Sequence, residues 1–365
     1  MKPAFITFSR FSILLGIGFF VFSCQNSKTE ETPKENQETA STQEVTYETT
    51  GSVERVDPAI NDLIAEDAKI EILCSGFTWS EGPLWLETEN KLIFSDVPEN
   101  IVYSWTPGDN KAEIYLQPSG YTGEVERGGE MGSNGLALDN DGKLVLCQHG
   151  NRQLGKMLSP LSDPKPEFEA IADNWEGKKF NSPNDVTIAS NGTYYFTDPP
   201  YGLAPAPEGH QGENPNREID FQGVYSVKNG EVKLQSKELS RPNGIALSLD
   251  EQTIYVANSD GKNPIWMTYD LDEDGDFTNG RVFFDATELA KTDKGSQDGL
   301  KVHKSGNIFA TGPGGVLIFT PEGKHLGTIK TGQATANCGF DTDQNYLYMT
   351  ADMHLMRIKL KSGNM

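Results

Sequence analysis

Basic residues are scarce in this sequence: 31 Lys and Arg stand against 53 Asp and Glu, a formal net charge of -22 over 365 residues. So acidic a chain excludes nucleic acid, and any anionic membrane surface, as a partner held by charge; it favours solubility and the attraction of cations. Cysteine is scarce too. The four, Cys24, Cys74, Cys147 and Cys338, lie far apart and form no Cys-x-x-Cys pair, which excludes a disulfide framework and a zinc–thiolate centre. The last three sit in apolar, strand-like runs and read as small core residues. Long helical periodicity is absent, and the N-terminal apolar run is too short for a comfortable membrane span.

That run, Phe11 to Phe22 behind Lys2 and Arg10, has the charged start and the length of a secretory signal. It ends Val21-Phe22-Ser23-Cys24, a small residue before cysteine, as in the lipobox of bacterial lipoproteins. Residues 1–24 are therefore expected to be a lipoprotein-type signal peptide. The protein is expected in the bacterial cell envelope, periplasm or outer membrane, touching the membrane only through a lipid on Cys24. Residues 25–55 hold almost no large apolar side chain and read as a disordered tether. Residues 56–365 are the expected folded domain.

From about residue 68, short β-rich runs alternate with Gly, Asn and Asp turns. One strand recurs six times: Leu92–Asp96, Leu144–His149, Tyr194–Asp198, Ile254–Asn258, Ile308–Gly312 and Leu347–Asp352. Turns such as Asn140-Asp141-Gly142 and Ser190-Asn191-Gly192 precede it. Before each turn runs another apolar segment, and most units carry a third strand, such as Gly223–Val227. Six small antiparallel meanders predict an all-β fold, a six-bladed β-propeller. The sixth unit is short of a strand, and the free run Ile70–Cys74 is expected to close the ring from the N-terminal side, leaving no ragged edge.

Aligned on their first strands, the units bring Glu81, Asn134, Asn184, Asn243, Asp298 and Asn337 to one position. The first strand of each blade lies beside the central channel, so these residues are expected to ring one mouth of it. Carboxylate and amide oxygens suit a hard cation such as calcium or magnesium. Fourteen or fifteen residues further on come Asp96, His149, Asp198, Asn258, Gly312 and Asp352, expected as a second tier around the same mouth. Two segments are placed to cover it: residues 117–132, with Tyr121 and Arg127, and residues 203–222, with His210 and Arg217.

The stretches Ser80–Trp85, Gly132–Leu136, Asn181–Asp185, Phe196–Gly202, Arg241–Ile245 and Gln297–Leu300, in this order, resemble the regucalcin (senescence marker protein) and gluconolactonase family. His149–Arg152 and Pro118–Gly123 look most like its bacterial and fungal gluconolactonase branch. The resemblance implies a six-bladed propeller with a divalent cation in the channel, calcium first and magnesium, manganese or zinc as alternatives. It implies Glu81, Asn184, Asn243 and Asp298 as the metal ligands, and Asp298 as proton donor and acceptor. The reaction expected is hydrolysis of a sugar-type lactone by a monomeric enzyme. Asp298 and His149 are the expected catalytic pair, and Asn134, Asp198, Tyr121 and Arg127 the expected substrate contacts. The alternatives are a calcium-dependent phosphotriesterase or arylesterase, and a non-catalytic propeller plugged by a structural calcium.

Overall fold

The computed structural model of the chain describes residues 45–125, 127–211 and 213–362. The expected signal peptide, Cys24 and the tether as far as residue 44 lie outside them. Six antiparallel sheets of four or five strands follow one another along the chain, each running from an inner first strand to an outer fourth, with a two-stranded ribbon, Asn174–Trp175 and Lys178–Lys179, between the second and the third. Blade one is Ser80–Leu86, Lys91–Asp96, Ile101–Trp105 and Glu113–Leu116. Blade two is Ser133–Leu138, Leu144–Gln148, Gln153–Met157 and Phe168–Ala172. Blade three is Val186–Ile188, Tyr194–Asp198, Gly223–Lys228 and Glu231–Ser236. Blade four is Pro242–Leu247, Thr253–Asn258, Ile265–Leu271 and Phe277–Asp285. Blade five is Leu300–Val302, Ile308–Gly312, Gly315–Phe319 and His325–Lys330. Blade six is Thr335–Phe340, Tyr346–Ala351 and His354–Lys359, with Ile70–Ser75 as its outer strand.

Packing explains why the second strands are apolar throughout. Each sheet is sandwiched between two others, so both of its faces are buried. In blade one, Leu92 and Phe94 point into the core shared with blade six, and Ile93 into the core shared with blade two. One such cluster fills each junction around the ring, the junction of blades six and one included. Cys74, Cys147 and Cys338 are buried in three different junctions as free thiols, the small-core role read from their context. Outer strands are half solvated and turn polar, as Glu231–Ser236 does.

The chain's two ends meet in blade six, where Ile70 pairs with Ile358 and Leu355 with Cys74. The ordered part begins earlier than the expected boundary at residue 55. Glu48–Thr50 adds a fifth strand to blade six, and Ser52–Arg55 a fifth strand to blade five. Their side chains are largely exposed or half-buried. Apolar content therefore fails to announce them: an edge strand is held by backbone pairing with the sheet beside it. Arg55 anchors the run by donating to Asn61 Oδ1 (2.6 Å) and the Ala65 carbonyl (2.7 Å).

Candidate active site

Where the inner strands begin, neighbouring backbones nearly touch. Gly135 N–H donates to the Asn184 carbonyl at 2.7 Å, from blade two to blade three. Hydroxyls on second strands make matching links: Ser95 to the Asn134 carbonyl (2.9 Å) and Thr197 to the Asn243 carbonyl (2.6 Å). A Cβ on Gly244 would lie 2.2 Å from the Asp298 carbonyl oxygen and 2.7 Å from Gly299 Cα. The Asn-Gly and Asp-Gly pairs are thus less a matter of turns than of close approach, because only glycine lets one inner strand press against the next.

Glu81, Asn134, Asn184, Asn243 and Asp298 line one cavity of about 310 Å³. Asn337 does not join them. In blade six the Gly299 N–H finds the Ala336 carbonyl (2.8 Å), and the Thr311 hydroxyl the same oxygen (2.9 Å). Ala336 therefore holds the ring position. A one-residue slip along a strand turns a side chain to the other face, and Asn337 leaves the cavity wall, its Oδ1 accepting from Cys338 N at 2.9 Å and its side chain hydrogen-bonding the Glu81 carboxylate.

Asp185 occupies the matching place in blade three, where four other units have glycine after the ring residue. It is buried, its Oδ1 accepts from Val186 N (2.9 Å), and its Oδ2 lies 3.6 Å from Lys301 Nζ. The sequence signal was available: an acid standing where the repeat has glycine.

The second tier has a different task from the one expected. Asp96 accepts from Thr78 N (3.0 Å) and Trp79 N (3.1 Å). Asp198 accepts from Asn181 N (2.8 Å) and Ser182 N (2.7 Å), and Asn258 Oδ1 from Arg241 N (2.8 Å). Each ties down the loop that leads into its own blade's inner strand. Asp198 is accordingly a buried brace rather than a substrate contact, its oxygens already engaged with backbone N–H groups; burial pushes its carboxyl up to about 7.

His149 is likewise not in the cavity lining. It follows the strand end, since Ser133 pairs with Gln148, and it is wholly buried. Its Nε2 lies 3.5 Å from Asn184 Nδ2 and its Nδ1 3.5 Å from Glu130 Oε2. Burial, helped by the charge of Arg127, pulls the imidazole down to about 3, so it stays neutral at working pH. A ring of such lowered basicity, buried outside the cavity wall, is poorly placed to take a proton from water there.

Tyr121 and Arg127 brace the segment between blades one and two instead of facing the cavity. The Tyr121 hydroxyl donates to the Val125 carbonyl (2.7 Å). Arg127 lies over the Tyr121 ring (5.5 Å) and donates to the Gly150 and Gly202 carbonyls of blade two and the loop after blade three's second strand. Residues that sequence reasoning missed complete the cavity wall: Trp79, Glu130, Tyr201, Arg241 and Ser259. Arg241 stacks over Tyr201 at 5.7 Å, and the Tyr201 hydroxyl meets Ser259 Oγ. Arg241 was in view within the Arg241-Pro242-Asn243-Gly244 motif; Glu130 lies on a connector that no other unit repeats.

The electrostatics suit a bound cation. Burial, then Asp185, raises the Glu81 carboxyl to about 8. Burial, then Glu81 and Asp185, holds Asp298 well above the usual carboxylate range. Asn134 Oδ1 and Asp298 Oδ1 are buried without a hydrogen-bond donor, while Asn184 and Asn243 turn their amide N–H groups to His149 and Ser259. Two crowded carboxylates and unused amide oxygens facing one space match the donor set of a hard divalent cation.

Comparison with known proteins gives a consistent result. The family model described as "SMP-30/Gluconolactonase/LRE-like region" matches residues 79–352. The gluconolactonase of Zymomonas mobilis is 37% identical over 321 residues, covering 86% of this chain and 87% of its own. Regucalcin of Xenopus laevis is 25% identical over 290 residues, covering 78% and 86%. Among solved structures, a gluconolactonase of Xanthomonas campestris superposes with a TM-score of 0.72 at 28% identity, covering 87% of this chain and 97% of that one.

Proposed function

The chain belongs to the SMP-30/gluconolactonase/LRE-like family, and from that premise we propose that it opens sugar lactones to hydroxy acids in the cavity ringed by Glu81, Asn134, Asn184, Asn243 and Asp298. The observation that carries the reading is the presence of Glu81 and Asp298 in one polar cavity, two buried acids whose carboxyls are both raised, Asp298 in part by the charge of Glu81. Such an arrangement is unfavourable for the protein alone and favourable once a cation is shared.

Glu81, Asn184, Asn243 and Asp298 are the residues proposed to hold a divalent cation, with calcium preferred because every donor is a hard oxygen. When bound, such an ion supplies Lewis-acid polarisation of the lactone carbonyl. The chain's own side chains do the rest. Arg241 and the Tyr201 hydroxyl present hydrogen-bond donors at the rim for the hydroxyl groups of the sugar. Asn134 offers a free amide oxygen. Trp79 gives the wall an apolar face for the ring carbons. His149 holds the Asn184 amide so that its oxygen is turned to the cavity.

The N-terminal segment supports a location as well. Lys2, Arg10, the apolar run and Ser23-Cys24 fit export and lipid attachment at Cys24, with a monomeric enzyme displayed in the cell envelope. The test of function is the initial rate on glucono-1,5-lactone before and after chelation, with paraoxon and phenyl acetate alongside. Lactone opening that is lost on chelation and restored by calcium is expected. Turnover of the phosphotriester or aryl ester alone would contradict the reading.

A further inference from the structure

We propose that Glu130 is a catalytic residue, the carboxylate that takes the proton from the attacking water; this rests on the lactonase reading above. Three carboxylates line the cavity, Glu81, Glu130 and Asp298. Two of them begin inner strands and are the proposed ligands, and a carboxylate that shares its charge with a cation is a weak base. Glu130 begins no inner strand, although its charge helps to raise both the Glu81 and the Asp298 carboxyl. It lies on the connector between blades one and two, four residues before Asn134, with its side chain 37% exposed. Among the described residues no lysine or arginine lies within ion-pair distance of it.

Its one ionisable partner at that distance is His149, whose Nδ1 is 3.5 Å from Glu130 Oε2. The Asn184 amide nitrogen lies 3.5 Å from His149 Nε2, and His149 Nδ1 has no hydrogen-bond partner among the described residues, so Glu130 is the one acid within reach of the ring at that nitrogen. Burial raises the Glu130 carboxyl, towards the range in which a base works best at neutral pH. The connector that carries it is anchored on both sides. Asn100 Oδ1 accepts from Gly120 N (2.7 Å) and Tyr121 N (3.1 Å), and Arg127 reaches the Gly150 and Gly202 carbonyls.

The step balances as follows. The water oxygen bonds to the lactone carbonyl carbon while its proton passes to Glu130. The tetrahedral alkoxide re-forms the carbonyl as the ring C–O bond breaks. Glu130 then returns the proton to the departing ring oxygen. Lactone and water become a hydroxy acid, and Glu130 is a carboxylate again.

The test uses full-length Glu130→Gln and Glu130→Ala with calcium and glucono-1,5-lactone. The expected loss for Glu130→Gln is about 100-fold or more in kcat, with KM and the calcium-induced thermal shift as in the wild type. Added formate is expected to restore about tenfold of the lost rate to Glu130→Ala. Retention of more than about a third of wild-type kcat by Glu130→Gln overturns the proposal. So does a loss that formate leaves untouched and that removes the thermal shift too, which marks a structural role. A wild type that opens no lactone removes the lactonase reading and this proposal together, whereas an active wild type with an unimpaired Glu130→Gln removes this proposal alone.

Discussion

At the scale of single residues, the site is organised by the cost of burying charge. Glu81 illustrates it. With its folded-state value raised from 4.5 to about 8, its contribution to stability is complete below about pH 4.5 and is lost as pH rises through about 8. The metal-free protein is therefore expected to lose thermal stability between about pH 5.5 and pH 9, and Glu81→Gln, which copies the protonated form, to lose less of it. Calcium is expected to raise the wild-type melting temperature most at the alkaline end, where it competes with fewest protons, and to leave Glu81→Gln unmoved. Differential scanning fluorimetry at both pH values checks this; equal calcium shifts in the two proteins would count against Glu81 as a ligand. Four of the five ring residues were legible in the sequence as regular repeats of Asn, Asp or Glu before Gly, and Asn184 as the same residue before Asp185. Asn337 misled because the pattern shows an asparagine near a strand start but not the residue at which the strand faces the channel. His149 and Asp198 misled for a related reason. Spacing places a side chain at one end of a blade, but it does not say whether backbone N–H groups of the adjoining loop have already claimed it.

At the scale of elements, inner strands and the connectors between blades divide the work. The strands fix the ring through contacts too close for a side chain. Gly244→Ala puts a methyl group against the Asp298 carbonyl and Gly299 Cα, both backbone atoms with nowhere to move. It is expected to cost about 3 kcal/mol, read as a lower urea midpoint with an unchanged slope. The connectors carry the residues that differ from blade to blade. Arg127→Ala frees residues 121–131 from the Gly150 and Gly202 carbonyls. The expected outcome is faster proteolytic nicking in this segment and a lower kcat/KM, with calcium affinity retained. An equal loss of calcium affinity would show that the connector shapes the ring itself. Glu130 was hidden from sequence reasoning for the same reason that it is useful: its segment has no counterpart in the other five units, so no register points to it.

At the scale of the whole molecule, closure joins sequence-distant parts. Ile70–Ser75 completes blade six, while Glu48–Thr50 and Ser52–Arg55 only extend sheets that are already complete. Removing residues 45–55 is therefore expected to lower the melting temperature by a few degrees and leave lactone opening intact. Removing residues 45–75 strips the closing strand, takes Leu73 and Cys74 off the core that holds Phe94, Tyr348 and Leu355, and is expected to abolish cooperative unfolding. The six-fold repeat made this architecture legible. The polar strands ahead of it were not, because pairing at a sheet edge leaves no apolar mark. What the closed ring does for function is bring Glu81, at its start, to the same cavity as Asp298, four blades on. The most direct measurement of that claim is an anomalous difference map from crystals grown with calcium. One peak about 2.3–2.6 Å from side-chain oxygens of Glu81, Asn184, Asn243 and Asp298 is predicted. A peak elsewhere, or none while these four side chains bond only to protein groups, would contradict it.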